Sequence, residues 1–171
     1  VKMGELKAGD SFRDFTGPLG CASEFVHEDI ESLKNKKMLF VAGGVGAAPV
    51  YPQVKWLKAH GIDADVIVGA KTKDMLILED QMETVAGNYY PCTDDGSYGH
   101  AGMVTTMVEE LVNNGNKYDV CVAIGPMIMM KFVCLLTKEL NIPTVVSMNP
   151  IMVDGTGMCG ACRLMVGNEV C

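Results

Sequence analysis

Four side chains near the end of the sequence have the types and the spacing of a metal site. Asp154, Cys159, Cys162 and Cys171 follow the pattern D-x4-C-x2-C-x8-C. Ionised thiols are soft ligands that favour zinc, Cu(I) or iron–sulfur clusters. Plant-type [2Fe–2S] proteins use C-x4-C-x2-C and a more distant fourth cysteine, and this sequence matches that spacing with an aspartate in the first position. The pattern therefore favours a [2Fe–2S] cluster, while a zinc site, a disulfide or free thiols remain alternatives.

A glycine-rich stretch earlier in the sequence could bind a phosphate group. The apolar run Lys37–Ala42 is followed at once by GGVGAAP, and a helical pattern starts near Val50. Glycines let the backbone approach a bulky anion, and the first turn of a helix offers free N–H groups and the positive end of its dipole. The stretch is neither a GxGxxG motif nor a P-loop, so a tight turn is the alternative. The candidate residues are Gly43, Gly44, Val45, Gly46, Ala47 and Pro49.

Two further loops are expected at the same edge of the sheet, because the carboxyl ends of parallel strands face one way. The first contains two adjacent carboxylates, which can accept hydrogen bonds from ribose hydroxyls and would repel a 2′-phosphate. This favours NAD(H) over NADP(H), although Lys71 and Lys73 would attract a phosphate and a solvated Asp-Gly turn is the alternative. The candidate residues of the two loops are Asp94, Asp95, Gly96, Gly125, Pro126 and Met127.

These candidates must be positioned by strands and helices that alternate along the chain. Continuous apolar strands between helices are typical of an α/β fold, and we predict a five-stranded parallel sheet with helices on both faces. A short strand at Ser11–Phe15 is expected before it, and a cysteine-rich loop after it. The predicted strands are 37–42, 65–70, 88–92, 119–124 and 143–147, and the predicted helices are 27–36, 50–60, 74–85, 102–113 and 127–140.

Composition narrows the possible functions. The chain has 171 residues and a formal net charge of −7, which argues against nucleic-acid binding. No apolar stretch is long enough for a membrane span, and no signal sequence is visible at the start. Cys121 and Cys134 lie in apolar runs, which favours a reducing, cytoplasmic location over an exported, disulfide-bonded protein. A start without Met and a stop at Cys171 suggest a fragment of a longer protein.

Five motifs occur in an order that resembles the ferredoxin–NADP⁺ reductase superfamily. The similarity is closer to its branch with a C-terminal cluster. That branch includes the electron-transfer subunit of dihydroorotate dehydrogenase B and the small subunit of NADH-dependent ferredoxin:NADP⁺ oxidoreductase, also called sulfide dehydrogenase. The motifs are GPLG at Gly17–Gly20, AGGVGAAP at Ala42–Pro49, TDDGSYG at Thr93–Gly99, IGPM at Ile124–Met127 and DGTGMCGACR at Asp154–Arg163.

The sequence departs from the relatives at two positions. Ile124 stands where the wider reductases have a cysteine near the nicotinamide, so no thiol role is carried over. Asp154 replaces the first cluster cysteine of the dihydroorotate branch, as it does in the sulfide dehydrogenase branch.

The resemblance implies three parts in a C-terminal fragment. Residues 1–20 would be the last strand and the exit of a mostly missing FAD-binding barrel, residues 21–148 an NAD(P)-binding domain, and residues 149–171 a [2Fe–2S] loop. It also implies that the flavin side is formed by Gly17, Pro18, Leu19 and Gly20.

The implied function is electron transfer between NAD(H), FAD and a [2Fe–2S] cluster to a larger flavin and iron–sulfur subunit. That partner would be glutamate synthase-like or dihydroorotate dehydrogenase-like. A flavin is needed because a nicotinamide gives two electrons as a hydride and a cluster passes one at a time. No acid–base residue is required. The alternatives are a zinc-stapled nucleotide-binding or regulatory module without redox activity, and a structural domain whose tail docks a partner.

Overall fold

The structure, a computed structural model, describes residues 2–12, 14, 17–20, 22–149 and 151–170. The chain divides into two compact units. One is Ser23–Met148, and the other combines Val1–Ala22 with Asn149–Cys171. Within the described residues, no helix combines the length and the hydrophobicity that a membrane span requires.

A parallel sheet forms the centre of the Ser23–Met148 unit, as predicted. Its strand order is β4-β3-β2-β1-β5-β6, so the sheet has six strands rather than the predicted five. The additional edge strand, β4, has only two residues, which pair with Cys92 and Thr93. It was not predicted because so short a strand leaves no apolar run in the sequence. The strands are β1 Met38–Gly43, β2 Asp65–Ala70, β3 Asn88–Thr93, β4 His100–Ala101, β5 Val120–Ile124 and β6 Thr144–Val146.

Helices cover both faces of this sheet. One core contains Phe40 of β1 with side chains of α1, α2 and α3, and the other contains Leu39 and Val41 with side chains of α4 and α5. Successive side chains of a strand point to opposite faces, so a continuously apolar strand supplies both cores. The predicted α/β class is therefore confirmed. The helices are α1 Ile30–Lys34, α2 Ala47–Ala59, α3 Glu79–Val85, α4 Val104–Asn113 and α5 Met127–Glu139.

Two helices start three or more residues later than predicted, and local backbone geometry explains both differences. The first starts at Ile30 rather than residue 27, because the Asp29 carboxylate accepts a 3.0 Å hydrogen bond from the Ser32 N–H and caps the helix there. The third starts at Glu79 rather than residue 74, because Leu78 has a left-handed φ of 59° that interrupts the helix.

A buried carboxylate joins the amino ends of the strands. Asp65 is only 4% exposed, and it accepts 2.7 Å hydrogen bonds from the Asn88 amide and the Tyr118 hydroxyl. Lys37 Nζ lies 3.4 Å from its second oxygen. A buried charge is costly unless it is paired and hydrogen-bonded. Asp65 and its three partners, here called the Asp65 network, therefore pair this charge within the protein at the amino edge of the sheet.

The second unit contains little regular structure among its described residues. Met165–Val166 (β7) and Glu169–Val170 (β8) form an antiparallel hairpin. The strand predicted at Ser11–Phe15 includes Arg13 and Phe15, which lie outside the described residues, and the described positions 11, 12 and 14 are not in a strand.

Candidate functional site

The glycine stretch forms a tight turn between β1 and α2. β1 ends at Gly43, residues Gly44–Gly46 make a single 3₁₀ turn, and α2 begins at Ala47. Gly44 has a left-handed φ of 53°, and a Cβ at this position would meet nothing within 4 Å. The next side chain, Val45, is 80% exposed. The backbone on the outer side of the turn is therefore uncovered by side chains. It lies at the N-terminus of a helix, where an anion can bind.

The inner side of the same turn packs directly against the loop after β5. A Cβ at Gly46 would collide with the carbonyl oxygen of Ile124 and would lie 3.1 Å from Gly125 Cα. A Cβ at Gly125 would lie 2.9 Å from Gly43 N. Glycine is thus required at these positions by close backbone approach, and two of the three predicted loops are in contact.

The third predicted loop continues the strand pairing of β2 with β3. Asp94 N–H donates to Ala70 O at 3.0 Å, and Asp95 N–H donates to Lys71 O at 3.2 Å. Both carboxylates are on the exposed side of the loop. Hydrogen bonds from Ser97, through its hydroxyl and its N–H, lower the pKa of Asp95 below the usual range. The loop therefore presents an ionised carboxylate at neutral pH.

Three residues that were not predicted as site residues, Thr93, Tyr98 and Lys73, hold this loop in shape. Thr93 is fully buried, and its hydroxyl donates to Tyr98 O at 2.7 Å and accepts from Tyr98 N–H at 3.0 Å. Lys73 N–H donates to Ser97 Oγ at 2.9 Å, and its Nζ lies 4.4 Å from the centre of the Tyr98 ring. One of the two lysines that the sequence placed here therefore stacks on an aromatic ring beside the carboxylates.

The loop after β5 leads into α5, with Pro126 as its N-cap and an exposed Met127 as the first helical residue. Another methionine that the sequence analysis passed over, Met129, is half-buried against the two glycine-containing loops. Met129 differs from the neighbouring methionines in its contact with both of these loops. The spacing of residues in the sequence does not indicate such a contact.

The predicted metal ligands that the structure describes lie on one loop of the second unit. The Asp154 carboxylate accepts hydrogen bonds from Thr156 N–H at 2.9 Å and Cys159 N–H at 3.2 Å, and the pKa of Asp154 is lowered mainly by the first of these. Cys159 and Cys162 are exposed, free thiols. The loop thus folds around the aspartate, helped by glycines with positive φ at Gly155, Gly157 and Gly160.

The same loop carries side chains of the kinds that bind metals. Two thiolates and one carboxylate are donor types that an iron–sulfur cluster or zinc accepts. Within the part of the chain that the structure describes, no three His, Cys, Asp or Glu side chains are grouped closely enough to hold an ion. The fourth predicted ligand, Cys171, lies outside the described residues. The donor chemistry therefore fits a metal, and the described geometry alone does not assemble the site.

A shallow apolar cavity of about 200 Å³ lies elsewhere in the Ser23–Met148 unit and contains none of the predicted site residues. It is bounded by Phe25 and by α2 side chains that include Trp56. The chemistry-bearing residues of this unit therefore gather at the open carboxyl edge of the sheet rather than in an enclosed pocket.

The family model of the oxidoreductase NAD-binding domain matches residues 40–135, which run from β1 to α5 and contain all three loops of the edge described above. The chain belongs to this NAD-binding oxidoreductase family.

Individual relatives extend over nearly the whole chain. A Clostridium beijerinckii protein, named for its position in the adh 3′ region, is 63% identical over 170 residues, which is 99% of this chain and 57% of that protein. A Thermotoga maritima homolog of the dihydroorotate dehydrogenase B (NAD⁺) electron transfer subunit is 46% identical over 164 residues, 96% of this chain and 55% of that protein.

A solved structure of an NADH-dependent reduced ferredoxin-NADP oxidoreductase superimposes with a TM-score of 0.81 at 41% identity. The match covers 99% of this chain and 58% of that one. The predicted family and the ferredoxin reductase-like fold are therefore confirmed. The chain thus spans little more than half the length of the relatives it matches.

Proposed function

We propose that this chain forms the NAD(H)-binding part of an electron-transfer subunit in a flavin and iron–sulfur oxidoreductase. The observation that supports it most is the turn after β1, where Gly44 leaves open backbone at the start of α2. The names of the Thermotoga and ferredoxin-NADP oxidoreductase relatives support the electron-transfer role.

In this proposal the turn after β1 holds the pyrophosphate of the dinucleotide. The backbone N–H groups of Gly43, Gly44, Val45 and Gly46 would donate to phosphate oxygens, and the first turn of α2, with Ala47 and Pro49, would add the positive end of its dipole. Pro49 fits this position because the N–H groups in the first turn of a helix have no partner within the helix. A proline, which has no N–H, therefore loses no hydrogen bond there.

The loop after β3 would bind a ribose. Asp94 and Asp95 are exposed, and Gly96 follows them with a φ of 70° that turns the chain. Carboxylates accept hydrogen bonds from the 2′- and 3′-hydroxyls of NAD(H) and repel the 2′-phosphate of NADP(H). Because Lys73 Nζ lies over Tyr98, its charge stays beside this loop, and the preference for NAD(H) is expected to be moderate rather than absolute.

The nicotinamide end of the site would lie at the loop after β5. Gly125, Pro126 and Met127 would shape the space for the ring, and no acid–base side chain is needed for hydride transfer. A bound FAD would convert hydride transfer into single-electron steps. Its neighbours in this chain would come from Gly17, Pro18, Leu19 and Gly20, all exposed in their own unit.

The cysteine loop completes the proposal. Asp154, Cys159, Cys162 and Cys171 would hold a [2Fe–2S] cluster, with glycines at positive φ letting backbone N–H groups turn inward. The acceptor would be a larger flavin and iron–sulfur subunit, either glutamate synthase-like or dihydroorotate dehydrogenase-like. A cytoplasmic location is part of the same proposal, supported by the free thiols of Cys121 and Cys134.

The test is the binding of NADH and NADPH to the wild-type chain and to Asp95→Asn, measured by calorimetry. The wild type should bind NADH more tightly than NADPH. The substitution should weaken NADH binding by about tenfold, because a hydrogen bond to a charged group contributes roughly 1.5–3 kcal/mol and 1.4 kcal/mol corresponds to a tenfold change. It should also raise the affinity for NADPH.

Asp63→Asn is the matched control, because Asp63 is an exposed carboxylate that pairs with Lys58 just before β2, away from the proposed site. It removes the same charge and should leave both affinities unchanged. A wild-type chain that binds neither nucleotide would contradict the proposal. Reconstitution with iron and sulfide, or with zinc, would separate the cluster from the zinc-stapled alternative by its visible absorption.

A further inference from the structure

Two loops of the proposed site are in direct backbone contact, so the side chains packed beside that contact affect the spacing of the loops. The turn after β1 and the loop after β5 are in backbone contact at two places, where Gly46 faces Ile124 and where Gly125 faces Gly43. In the proposed function one loop holds the pyrophosphate and the other borders the nicotinamide. Their separation therefore controls whether one dinucleotide can contact both loops.

The side chain of Met129 occupies the space beside this contact. A Cβ at Gly43 would collide with Met129 Sδ, and a Cβ at Gly125 would lie 2.9 Å from Met129 Cε. The same thioether thus lies against both glycines from the first turn of α5. It is half-buried and packs on the core shared by α4 and α5, so the core holds its base in place.

We infer that Met129 is a positioning residue that sets the gap between the turn after β1 and the loop after β5. This inference rests on the proposed function, since the gap matters only if a dinucleotide spans it. Methionine suits the role because its unbranched, polarizable side chain fills irregular spaces. Removing it would leave a void that the loops can enter, and the two contact points would no longer be held at one distance.

Gly43 offers a direct way to test the contact. Its backbone is extended, with φ −122° and ψ 120°, so alanine is conformationally allowed there and the effect of Gly43→Ala is steric. The new methyl group would meet Met129 Sδ and, at 2.8 Å, Pro126 Cδ. Shortening Met129 removes the first of these collisions and leaves the second. We therefore expect the double variant to recover only part of the NADH affinity that Gly43→Ala loses.

Met130 is a matched control on the same helix. It is 5% exposed and belongs to the core under α4 and α5, and its atoms are not among those nearest to a Cβ at Gly43, Gly46 or Gly125. Met130→Ala removes the same atoms from the same helix turn. It should lower the melting temperature at least as much as Met129→Ala while leaving the dissociation constant for NADH within about twofold of the wild type.

The experiment measures NADH affinity and melting temperature for Met129→Ala, Met129→Leu, Met130→Ala, Gly43→Ala and the double variant Gly43→Ala/Met129→Ala. Met129→Ala should weaken NADH binding about tenfold, and Met129→Leu, which nearly conserves volume, by less than about threefold. Gly43→Ala should also weaken binding, and the double variant should bind at least about threefold more tightly than Gly43→Ala alone.

Each outcome decides one question. If the wild type binds NADH and Met129→Ala binds equally well, the inference is overturned and the proposed function stands. Strictly additive losses in the double variant would also overturn it, because the two side chains would then not share one space. A wild type that does not bind NADH would overturn the proposed function and this inference with it.

Discussion

The two edges of the parallel sheet are built on opposite principles. At the amino edge, the buried carboxylate of Asp65 accepts hydrogen bonds from Asn88 and Tyr118 and forms an ion pair with Lys37. At the carboxyl edge, the turn at Gly44 leaves open backbone, and the nearby carboxylates are exposed.

The two edges differ in whether their polar groups are paired within the protein or are available to a ligand. A charge that the protein itself satisfies contributes to stability and specificity of folding, whereas donors and acceptors left open to solvent at a helix N-terminus can be used by a ligand. Substitutions at the amino edge should therefore change stability and leave binding unaffected. Substitutions at the carboxyl edge should change binding.

The largest expected effect is at the amino edge. Asp65→Ala would leave the Tyr118 hydroxyl and the Asn88 amide without their acceptor, and we expect a loss of about 3 kcal/mol in the free energy of unfolding. Urea denaturation followed by circular dichroism measures this loss. The dissociation constant for NADH of the folded fraction should not change, and a tenfold change in it would break the distinction between the edges.

At the carboxyl edge, Gly46→Ala should cost both stability and binding. Its Cβ would collide with the carbonyl oxygen of Ile124, a backbone atom that cannot move aside as a side chain can. We expect a destabilisation of about 2 kcal/mol, typical of overpacking, together with weaker NADH binding. Gly4→Ala is the control, because nothing lies within 4 Å of a Cβ there. Equal effects of the two substitutions would contradict the close approach of the two loops.

A smaller effect is expected from Tyr118→Phe, which removes one hydrogen bond to Asp65 and should cost about 1–2 kcal/mol at neutral pH. Burial, followed by the hydrogen bond to Asp65, raises the pKa of Tyr118 above its ordinary value of about 10. The folded state therefore holds this proton more tightly than the unfolded state does. The resulting stability is fully present below pH 10 and is lost as pH rises above that value.

Urea titrations between about pH 8 and 11 test the sign of this dependence. The wild type should lose stability across this range more steeply than Tyr118→Phe, so the difference between the two proteins should shrink as the pH rises. A difference that grows with pH would show that the phenol is not held neutral by the Asp65 network.

Much of the architecture followed from the sequence because hydrophobic periodicity is a local property. The strands of the sheet centre are continuous apolar runs, and GGVGAAP marks the turn after β1 without reference to any other part of the chain. The two-residue β4 was missed because its pairing depends on the loop that follows β3 rather than on its own side chains. The start of α3 was missed because a leucine at left-handed φ has no sequence signature.

The candidate site could be predicted only in part. The residue types at Asp94 and Asp95 indicate what they can bind, but the support given by Thr93 and Tyr98 depends on how the loop folds back on itself. The position of Met129 depends on a contact between two loops that are far apart in the sequence, and residue spacing does not indicate such a contact. The assignment of Cys171 as a ligand stays a prediction.

Amide hydrogen exchange of the chain with and without saturating NADH tests most directly whether the carboxyl edge binds the dinucleotide. We predict that NADH slows exchange at Gly44–Gly46, at Asp94–Gly96 and at the Gly125 and Met127 amides, while the amides of Asn88 and Tyr118 at the amino edge exchange as before. Protection confined to the amino edge, or an unchanged exchange pattern at saturating NADH, would contradict the assignment of the carboxyl edge as the dinucleotide site.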